Sequence, residues 1–344
     1  MSESTTDMID EKPFQFYIQT IGRGQKRRRS LTQIEARNAM RMILTDKVSP
    51  MQLGAFLMLI RVREETAEEA AGFVAAIREK IYARASSIEP TQSSCLVDID
   101  WGSYAGKRRQ LPWFMLALTL LARKGYTVFL HGIVGNEPHR LYTQEIAELL
   151  EWPMADSLEH AKQILEETGF CYAPVEQFAP EINTLMGYRD ELGLRSPIHT
   201  LARMMNPFVA RLSVHGVFHK GYDDIHQQAM ALLNDPLTAA FCGDSGEAEV
   251  RPDRKTEIKM VENGLNEASS DMWSFFLPKV FFNSDPTEKC IDPKVLMAVW
   301  KGQETNTYAE AAVVHTMVLV LMSLEHLTLE EAKKQATLLW ESRL

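Results

Sequence analysis

Apolar residues in the first quarter of the chain recur every three or four positions, the spacing of one helix face. The clearest series is Leu53, Phe56, Leu57 and Ile60. Three helix starts carry a capping box, in which Thr or Ser is followed three residues later by Glu or Gln. These pairs are Thr32 with Glu35, Ser49 with Gln52, and Thr66 with Glu69. We therefore predict an amino-terminal helical domain over residues 13–89, after a flexible acidic leader over residues 1–12.

Farther along, short apolar strands alternate with helices. Predicted strands at 95–100 and 126–130 flank a predicted helix at 112–124, a βαβ unit typical of a parallel sheet. The other predicted elements are a helix at 140–151, a strand at 170–172, helices at 180–192 and 197–205, a strand at 210–218, a helix at 223–234, strands at 239–242 and 257–261, and helices near 292, 308 and 328. The fold class is α/β: the small helical domain, a linker at 86–92, and a larger α/β domain over 90–344 with a mostly parallel central sheet.

Composition excludes several classes of protein. The chain has 344 residues, of which 45% are hydrophobic and 24% charged, unlike a disordered tail or a small disulfide scaffold. Its longest apolar run, residues 111–122, is shorter than the roughly 20 residues of a membrane span, so we expect a cytoplasmic protein without a membrane partner. The four cysteines are widely spaced, which indicates structural thiols.

The charge is segregated. The formal net charge is −9, yet two runs are basic. The first comprises Arg23, Lys26, Arg27, Arg28 and Arg29, and the second comprises Lys107, Arg108 and Arg109. Such a run is either a solvated surface or a contact for a polyanion such as nucleic acid, and the sequence leaves both open.

The loop at residues 101–110 is a candidate anion site. It leads from a predicted strand to a helix start, where open α/β sheets hold phosphates, and Gly102 and Gly106 would let the backbone approach a ligand. The equally supported alternative to an anion site is an ordinary turn beside solvent-exposed basic side chains. His215 and His219 lack a third metal ligand, so we expect no metal, and we expect no cofactor either. No hydrolase motif surrounds Ser103, so the sequence does not indicate a serine hydrolase.

Several segments resemble the anthranilate phosphoribosyltransferase family. They are residues 49–57 and 64–72, the pair His131-Gly132, and residues 188–196 running on to Asn206-Pro207. The likeness extends from about residue 14 to the end of the chain. It implies a helical domain that carries a dimer interface, joined by helices within 178–207, with diphosphate and acceptor bound between the two domains.

The family's catalytic pattern is broken in this chain. Its Gly-Thr-Gly-Gly-Asp diphosphate loop would fall on 101–105, where Trp101 and Tyr104 carry bulky rings. Its magnesium-binding Asp-Glu pair would fall on Ala248 and Glu249, which leaves one carboxylate. The resemblance thus implies a vestigial substrate site, with phosphoribosyl diphosphate not expected as a ligand. Its residues would be Gly102, His131, Gly132, Arg189, which matches the acceptor-carboxylate arginine, and Glu249.

A second resemblance, at residues 21–29, 103–110, 199–203 and 246–250, is to the bacterial YbiB-type branch of this superfamily. That branch implies a homodimer that lacks transferase activity and binds nucleic acid, DNA or RNA, without sequence preference. We therefore expect a nucleic-acid-binding protein, favouring single-stranded DNA, rather than an enzyme. The alternatives are a transferase with an altered acceptor and a protein-interaction scaffold.

The nucleic-acid hypothesis assigns a role to each candidate residue. Arg203 and both basic runs would contact phosphates, and Trp101 or Tyr104 would stack on bases. Packing is the competing role for the two rings, and a place at the domain boundary is the competing role for Arg203.

Overall fold

A computed structural model of the chain describes residues 12–24, 26–85, 88, 96–135, 137–264, 270–282 and 289–344. Most of the predicted leader, most of the predicted linker and the start of the first predicted strand at Cys95 lie outside these residues. The described part consists of a helical domain and an α/β domain with a mostly parallel sheet. The predicted fold class is therefore confirmed.

The described part of the helical domain forms four helices. They are α1 (Phe14–Gly22), α2 (Gln33–Leu44), α3 (Pro50–Arg63) and α4 (Ala67–Arg84). The three predicted capping boxes begin α2, α3 and α4, each with both of its reciprocal hydrogen bonds. Helix α1 was not predicted, because it starts after Pro13 without a side-chain cap and therefore lacks the sequence signal of the other three.

Among the described residues the sheet has seven strands, in the order β3-β2-β1-β4-β5-β6-β7. They are β1 (Ile99–Ser103), β2 (Val128–Gly132), β3 (Phe170–Pro174), β4 (Leu212–Val217), β5 (Leu237–Cys242), β6 (Thr256–Asn263) and β7 (Ser270–Leu277). Neighbours among β1 to β5 are parallel, whereas β6 and β7 are antiparallel. The edge strand β7 was not predicted, because Met272, Trp273 and Phe276 break the usual alternation of buried and exposed positions.

Helices cover both faces of the sheet. They are α5 (Phe114–Lys124), α6 (Thr143–Leu149), α7 (Leu158–Thr168), α8 (Val175–Phe178), α9 (Pro180–Gly187), α10 (Arg189–Leu192), α11 (Ile198–Leu201), α12 (Tyr222–Leu233), α13 (Pro293–Trp300), α14 (Thr307–Glu325) and α15 (Leu329–Glu341). The single helix predicted at 180–192 is divided into α9 and α10, and α7 was not predicted.

Helix α14 is long and apolar enough to cross a membrane by length and composition alone. However, 67% of its most apolar window is buried inside the protein, where it packs against α5 and α15. It is therefore placed as the core helix of a soluble protein would be.

A buried ion pair joins the two domains. Arg78 of α4 lies 2.5 Å and 2.8 Å from the two carboxylate oxygens of Asp235, and it also donates to the carbonyl oxygens of Met204 and Met205. Asn206 donates a further hydrogen bond of 2.7 Å to Asp235. Breaking such a pair leaves an uncompensated buried charge, so α4 is held firmly against the segment that precedes β5.

Candidate anion-binding site

A cleft lies between the two domains at the carboxyl ends of the central strands. Its cavity of about 300 Å³ is lined by Val217 at the end of β4 and by the β1–α5 loop, including Ala105. The helical domain contributes Arg61, near the end of α3, and Glu65. Ligands of open α/β sheets bind at this edge.

Arginine dominates the lining. Six arginines contribute to it: Arg61, Arg108, Arg140, Arg189, Arg195 and Arg203. The carboxylates beside them include Glu65, which also lines the cavity, Glu137, which binds three of the arginines, and Glu247, which acts on Arg203. We call this cavity the arginine cleft. Its excess of positive charge, enclosed by protein, attracts anions.

Glu137 holds part of this arginine cluster in place. Its carboxylate accepts hydrogen bonds from Arg189, from Arg140 at 3.0 Å and from Arg195 at 3.1 Å. Burial alone would raise the pKa of Glu137, but these guanidinium groups lower it to about 2. The carboxylate is therefore ionised at neutral pH and keeps three guanidinium groups beside the cavity.

Arg203 and His199 form the deep wall of the cleft. The Arg203 side chain is buried and donates to the carbonyl oxygens of His199 and Gly246. Burial lowers the pKa of Arg203 to about 10, so the group remains charged at neutral pH. Burial, assisted by the charge of Arg195, lowers the pKa of His199 to about 3. The His199 imidazole is therefore neutral.

The neighbouring loop at 101–110 is closed by the protein's own carboxylates. Glu247 accepts hydrogen bonds from the backbone N–H groups of Ala105 and Gly106 at 2.7 Å and 2.6 Å. The Lys107 ammonium lies 2.5 Å from both Asp244 and Glu249. Burial alone would lower the pKa of Lys107, but these two carboxylates outweigh it and raise the pKa. Carboxylates of the chain itself therefore already pair with the ammonium group and the two backbone N–H groups of this loop.

This arrangement corrects three sequence predictions. Lys107 is only 1% exposed, so it does not reach the phosphates of a polymer. Trp101 is fully buried and packs on Phe114, and the Tyr104 hydroxyl shares a 2.6 Å hydrogen bond with His131. Base stacking by either ring is therefore wrong, and packing was the correct alternative.

The remaining residues of the second basic run differ from Lys107. Arg108 is exposed and lines the arginine cleft, and its contact with phosphate stays a prediction. Arg109 is also exposed, but it is absent from the cleft lining. Arg203 does reach the cleft, and its contact with phosphate stays a prediction.

The vestigial-site residues are divided between the cleft and the core. Arg189 lines the arginine cleft, whereas His131 and Gly132 are buried in β2. A Cβ atom on Gly102 would lie 3.1 Å from the Cα of Arg203, so this glycine permits close packing of β1 on the cleft wall. Glu249 lies beneath the loop, bonded to Lys107.

The residues at the family's magnesium position do not fit a magnesium ion. One Glu249 oxygen accepts from Lys107, and the other accepts from the backbone N–H of Phe114 at 2.9 Å. Ala248 supplies no side-chain ligand. A divalent cation would have to displace a buried ammonium group, and magnesium prefers free oxygen ligands.

The first basic run is exposed and lies close to the arginine cleft. Arg28 and Arg29 line a second cavity, and Glu65 lines both this cavity and the arginine cleft. Arg23 and Arg27 join Arg29 around a third cavity. Lys26 is also exposed. Arg28 and Arg29 therefore lie beside the arginine cleft, although Arg29 is paired with Glu35 at 2.6 Å.

Sequence reasoning missed five charged residues of this site: Arg61, Glu65, Glu137, Arg140 and Arg195. They come from separate loops and helix ends, so no run or motif marks them. Glu65 and Arg195 lie within segments that carry the family resemblance, which is the signal that could have found them.

Comparisons with known proteins agree with this architecture. Residues 15–81 match the helical bundle domain of the glycosyl transferase family. The chain is 28% identical to the uncharacterized protein YbiB of Escherichia coli over 255 residues, 71% of this chain and 75% of that protein. It is 26% identical to anthranilate phosphoribosyltransferase of Methanococcoides burtonii over 252 residues, 73% of this chain and 67% of that enzyme.

The solved structure of anthranilate phosphoribosyltransferase from Thermus thermophilus has the same fold. It superposes with a TM-score of 0.71 at 22% identity and covers 92% of both chains. Together these likenesses support a place for the chain in the anthranilate phosphoribosyltransferase superfamily and show its fold. The homodimer implied by the resemblance stays a prediction.

Proposed function

We propose that the arginine cleft binds a small phosphate-bearing ligand of the class used by phosphoribosyltransferases. The observation that carries this proposal is the cluster of six arginines around one cavity of about 300 Å³. Guanidinium groups bind phosphate oxygens in pairs, with strong charge-assisted hydrogen bonds. The similarity to anthranilate phosphoribosyltransferases, at 26% identity for the Methanococcoides burtonii enzyme, favours this ligand class.

In this proposal the phosphates are held by guanidinium groups instead of by loop amides and magnesium. Glu247 accepts hydrogen bonds from the amides of Ala105 and Gly106, and Lys107 is paired with Glu249. The Glu247 carboxylate thus takes the place that a diphosphate would need, and the Lys107 ammonium takes the place that a metal would need. We therefore expect ligand binding without the metal-assisted release of diphosphate.

Calorimetric titration with phosphoribosyl diphosphate tests the proposal. Arg195→Gln should weaken binding about tenfold, because it removes a charge-assisted hydrogen bond. Arg23→Gln is the matched control, since it removes the same charge from an exposed residue outside the arginine cleft, and it should change binding less than twofold. Equal affinity of Arg195→Gln and the wild type would contradict the proposal.

The same ligand tests the reaction. We expect no diphosphate to be released when phosphoribosyl diphosphate, magnesium and anthranilate are mixed with the protein. Release at a rate proportional to protein concentration would instead assign transferase activity. That outcome would leave the proposed binding site in place and overturn the expectation of lost chemistry.

Nucleic-acid binding is the second candidate function. The observation that favours it is the basic surface beyond the cleft, where Arg28 lines a cavity that shares Glu65 with the arginine cleft. A strand whose end occupied the arginine cleft could continue along these exposed side chains. Each phosphate contact releases counterions, so affinity would fall steeply with salt.

Fluorescence anisotropy of labelled single-stranded DNA at several salt concentrations tests this candidate. Arg28→Gln should lower the salt dependence by about one charge and weaken all sequences alike. Lys334→Gln, on the exposed face of α15, is the control with the same charge change. If Arg28→Gln and Lys334→Gln behave alike, the first basic run does not bind the strand.

A further inference from the structure

The two edges of the sheet differ in what covers them. At one edge, β3 is fully buried, and the backbone of Tyr172 forms hydrogen bonds with Pro153 and Ala155 of a neighbouring segment. At the other edge, β7 pairs with β6 alone among the described residues. An uncovered edge strand presents N–H and C=O groups with which another strand can pair. In the described part of the chain, one edge is therefore covered and the other is open.

The hydrogen bonds of Gln227 show which backbone groups of β7 point outward. Its Nε2 donates to the carbonyl oxygens of both Met260 in β6 and Trp273 in β7, at 2.6 Å and 3.1 Å. Met260 and Trp273 face each other, and their carbonyl oxygens can share one donor only when both point into the space between the strands. Because this direction alternates along a strand, every second residue of β7 directs its N–H and C=O groups away from β6. These outward-facing residues are Met272, Ser274 and Phe276.

The side chains of β7 are unusually apolar for an exposed edge. Met272 is 53% exposed and Trp273 is 41% exposed. Phe276 is 49% exposed, although the Lys255 ammonium lies 3.8 Å from the centre of its ring. Natural edge strands are usually protected from pairing by a charged residue or a proline, and residues 272–277 contain neither. Burial of these side chains against another strand would therefore stabilise a pairing at this edge.

The sequence of β7 matches a second copy of itself. A two-fold interface brings one residue opposite a second and the second opposite the first, so a strand that pairs in this way must resemble its own reverse. Around Ser274 the chain runs apolar, aromatic, small, aromatic, apolar. With a two-fold axis at Ser274, Met272 faces Phe276 of the second copy. Trp273 faces Phe275 of the second copy, and aromatic pairs of this kind stabilise antiparallel strands.

The same register also satisfies the backbone and the charges at the ends of the strand. The outward-facing residues Met272, Ser274 and Phe276 would each form a hydrogen-bonded pair with the second copy, and each such pair exchanges two hydrogen bonds. Asp271 near the start of β7 and Lys279 just after its end are both exposed. Across the axis they become diagonal neighbours, a separation that a long side chain can span. The two ends of the strand are therefore complementary in charge.

We propose that β7 pairs with β7 of a second copy of the chain, about a two-fold axis at Ser274. The pairing joins two seven-stranded sheets into one continuous sheet. This interface lies on the α/β domain, so it is separate from the helical-domain dimer that the family resemblance implies. If both interfaces form, the assembly contains more than two copies. The inference does not depend on what the arginine cleft binds.

Charges introduced at Ser274 test the axis directly, because this residue faces itself. Ser274→Lys and Ser274→Glu each place like charges opposite one another, which should weaken self-association through β7 about tenfold. Mixing the two variants places opposite charges against each other and should restore most of the association. Sedimentation velocity over a range of protein concentrations measures association in the wild type, in each variant and in the mixture.

Gln163→Lys and Gln163→Glu are the matched controls, since they add the same charges to an exposed residue of α7, which packs beside the covered edge. They should associate like the wild type. Ser274 is exposed, so its substitution should leave the fold intact, which circular dichroism checks. Two results would overturn the inference: equal association of Ser274→Lys and the wild type, or a mixture that associates no more tightly than either variant alone. Either result would leave an extended segment of another protein as the remaining occupant of this edge.

Discussion

The loop at 101–110 and the arginine cleft are adjacent, yet positive charge is neutralised in the loop and is in excess in the cleft. In the loop, backbone amides and Lys107 are matched by carboxylates from residues 244–249. In the cleft, six guanidinium groups face Glu65 and Glu137. A neutralised site contributes to stability and has little left for a ligand, whereas an unbalanced site can bind an anion from solution.

The comparison also shows that basic residues in one run can have two different roles. Lys107 and Arg108 are consecutive in the sequence, but one is buried between two carboxylates and the other is exposed at the cleft. The first should matter for folding and the second for binding. Substitutions at these and neighbouring residues can break this division or sharpen it.

The largest effect is expected at Lys107. Lys107→Met leaves the carboxylates of Asp244 and Glu249 buried without their counter-charge, so the free energy of unfolding should fall by about 3–5 kcal/mol. Arg108→Met should change it by less than about 0.5 kcal/mol, as is usual for an exposed site. Urea denaturation of both variants measures the difference. Similar stability of the two would show that the loop is not a closed ionic site.

Glu65 should make stability depend on pH. Burial raises its pKa from 4.5 to about 7, so between these values the folded state binds more protons than the unfolded state. The wild type therefore loses stability as pH rises through this window, by roughly 3 kcal/mol in total. Glu65→Met should match the wild type near pH 4 and exceed it increasingly up to pH 7. A stability difference independent of pH would contradict the buried, unpartnered carboxylate.

Glu247 tests whether the loop retains its capacity for anions. Glu247→Ala removes the acceptor of two backbone N–H groups, which should cost about 2 kcal/mol of unfolding free energy. Inorganic diphosphate should then raise the melting temperature of this variant more than that of the wild type, because the freed amides form an anion-binding nest. Glu262→Ala, an exposed control in β6, should show neither effect. Equal response of variant and wild type to diphosphate would mean that the loop has lost this capacity.

The fold could be predicted from sequence because its signals are local. Capping boxes marked α2, α3 and α4, and alternating apolar strands and helices marked the parallel sheet. Two of the elements that escaped prediction lack such signals, whereas α7 was missed although the Ser157 side chain caps it. Helix α1 has no side-chain cap, and β7 is an edge strand with exposed aromatic residues.

The site could be predicted only in outline, because burial and pairing are tertiary properties. The three basic residues of the second run look alike in sequence. The carboxylates that neutralise Lys107 lie more than 130 residues away, at Asp244 and Glu249. The bulky Trp101 and Tyr104 looked like a stacking surface for the same reason. Arg189, which the resemblance singled out, lines the arginine cleft, since aligned motifs carry tertiary information that spacing lacks.

The smallest predicted effect lies within the second basic run itself. Arg108→Gln should weaken the binding of inorganic phosphate about threefold, because an exposed guanidinium at the mouth of the cleft is partly screened by solvent. Arg109→Gln should leave binding unchanged, since Arg109 is exposed but lies outside the cleft lining. Calorimetric titration at low salt resolves this difference. If Arg109→Gln weakened binding as much as Arg108→Gln, the run would act through its general positive charge rather than through the position of Arg108 in the cleft. The contrast between the loop and the cleft would then not explain binding.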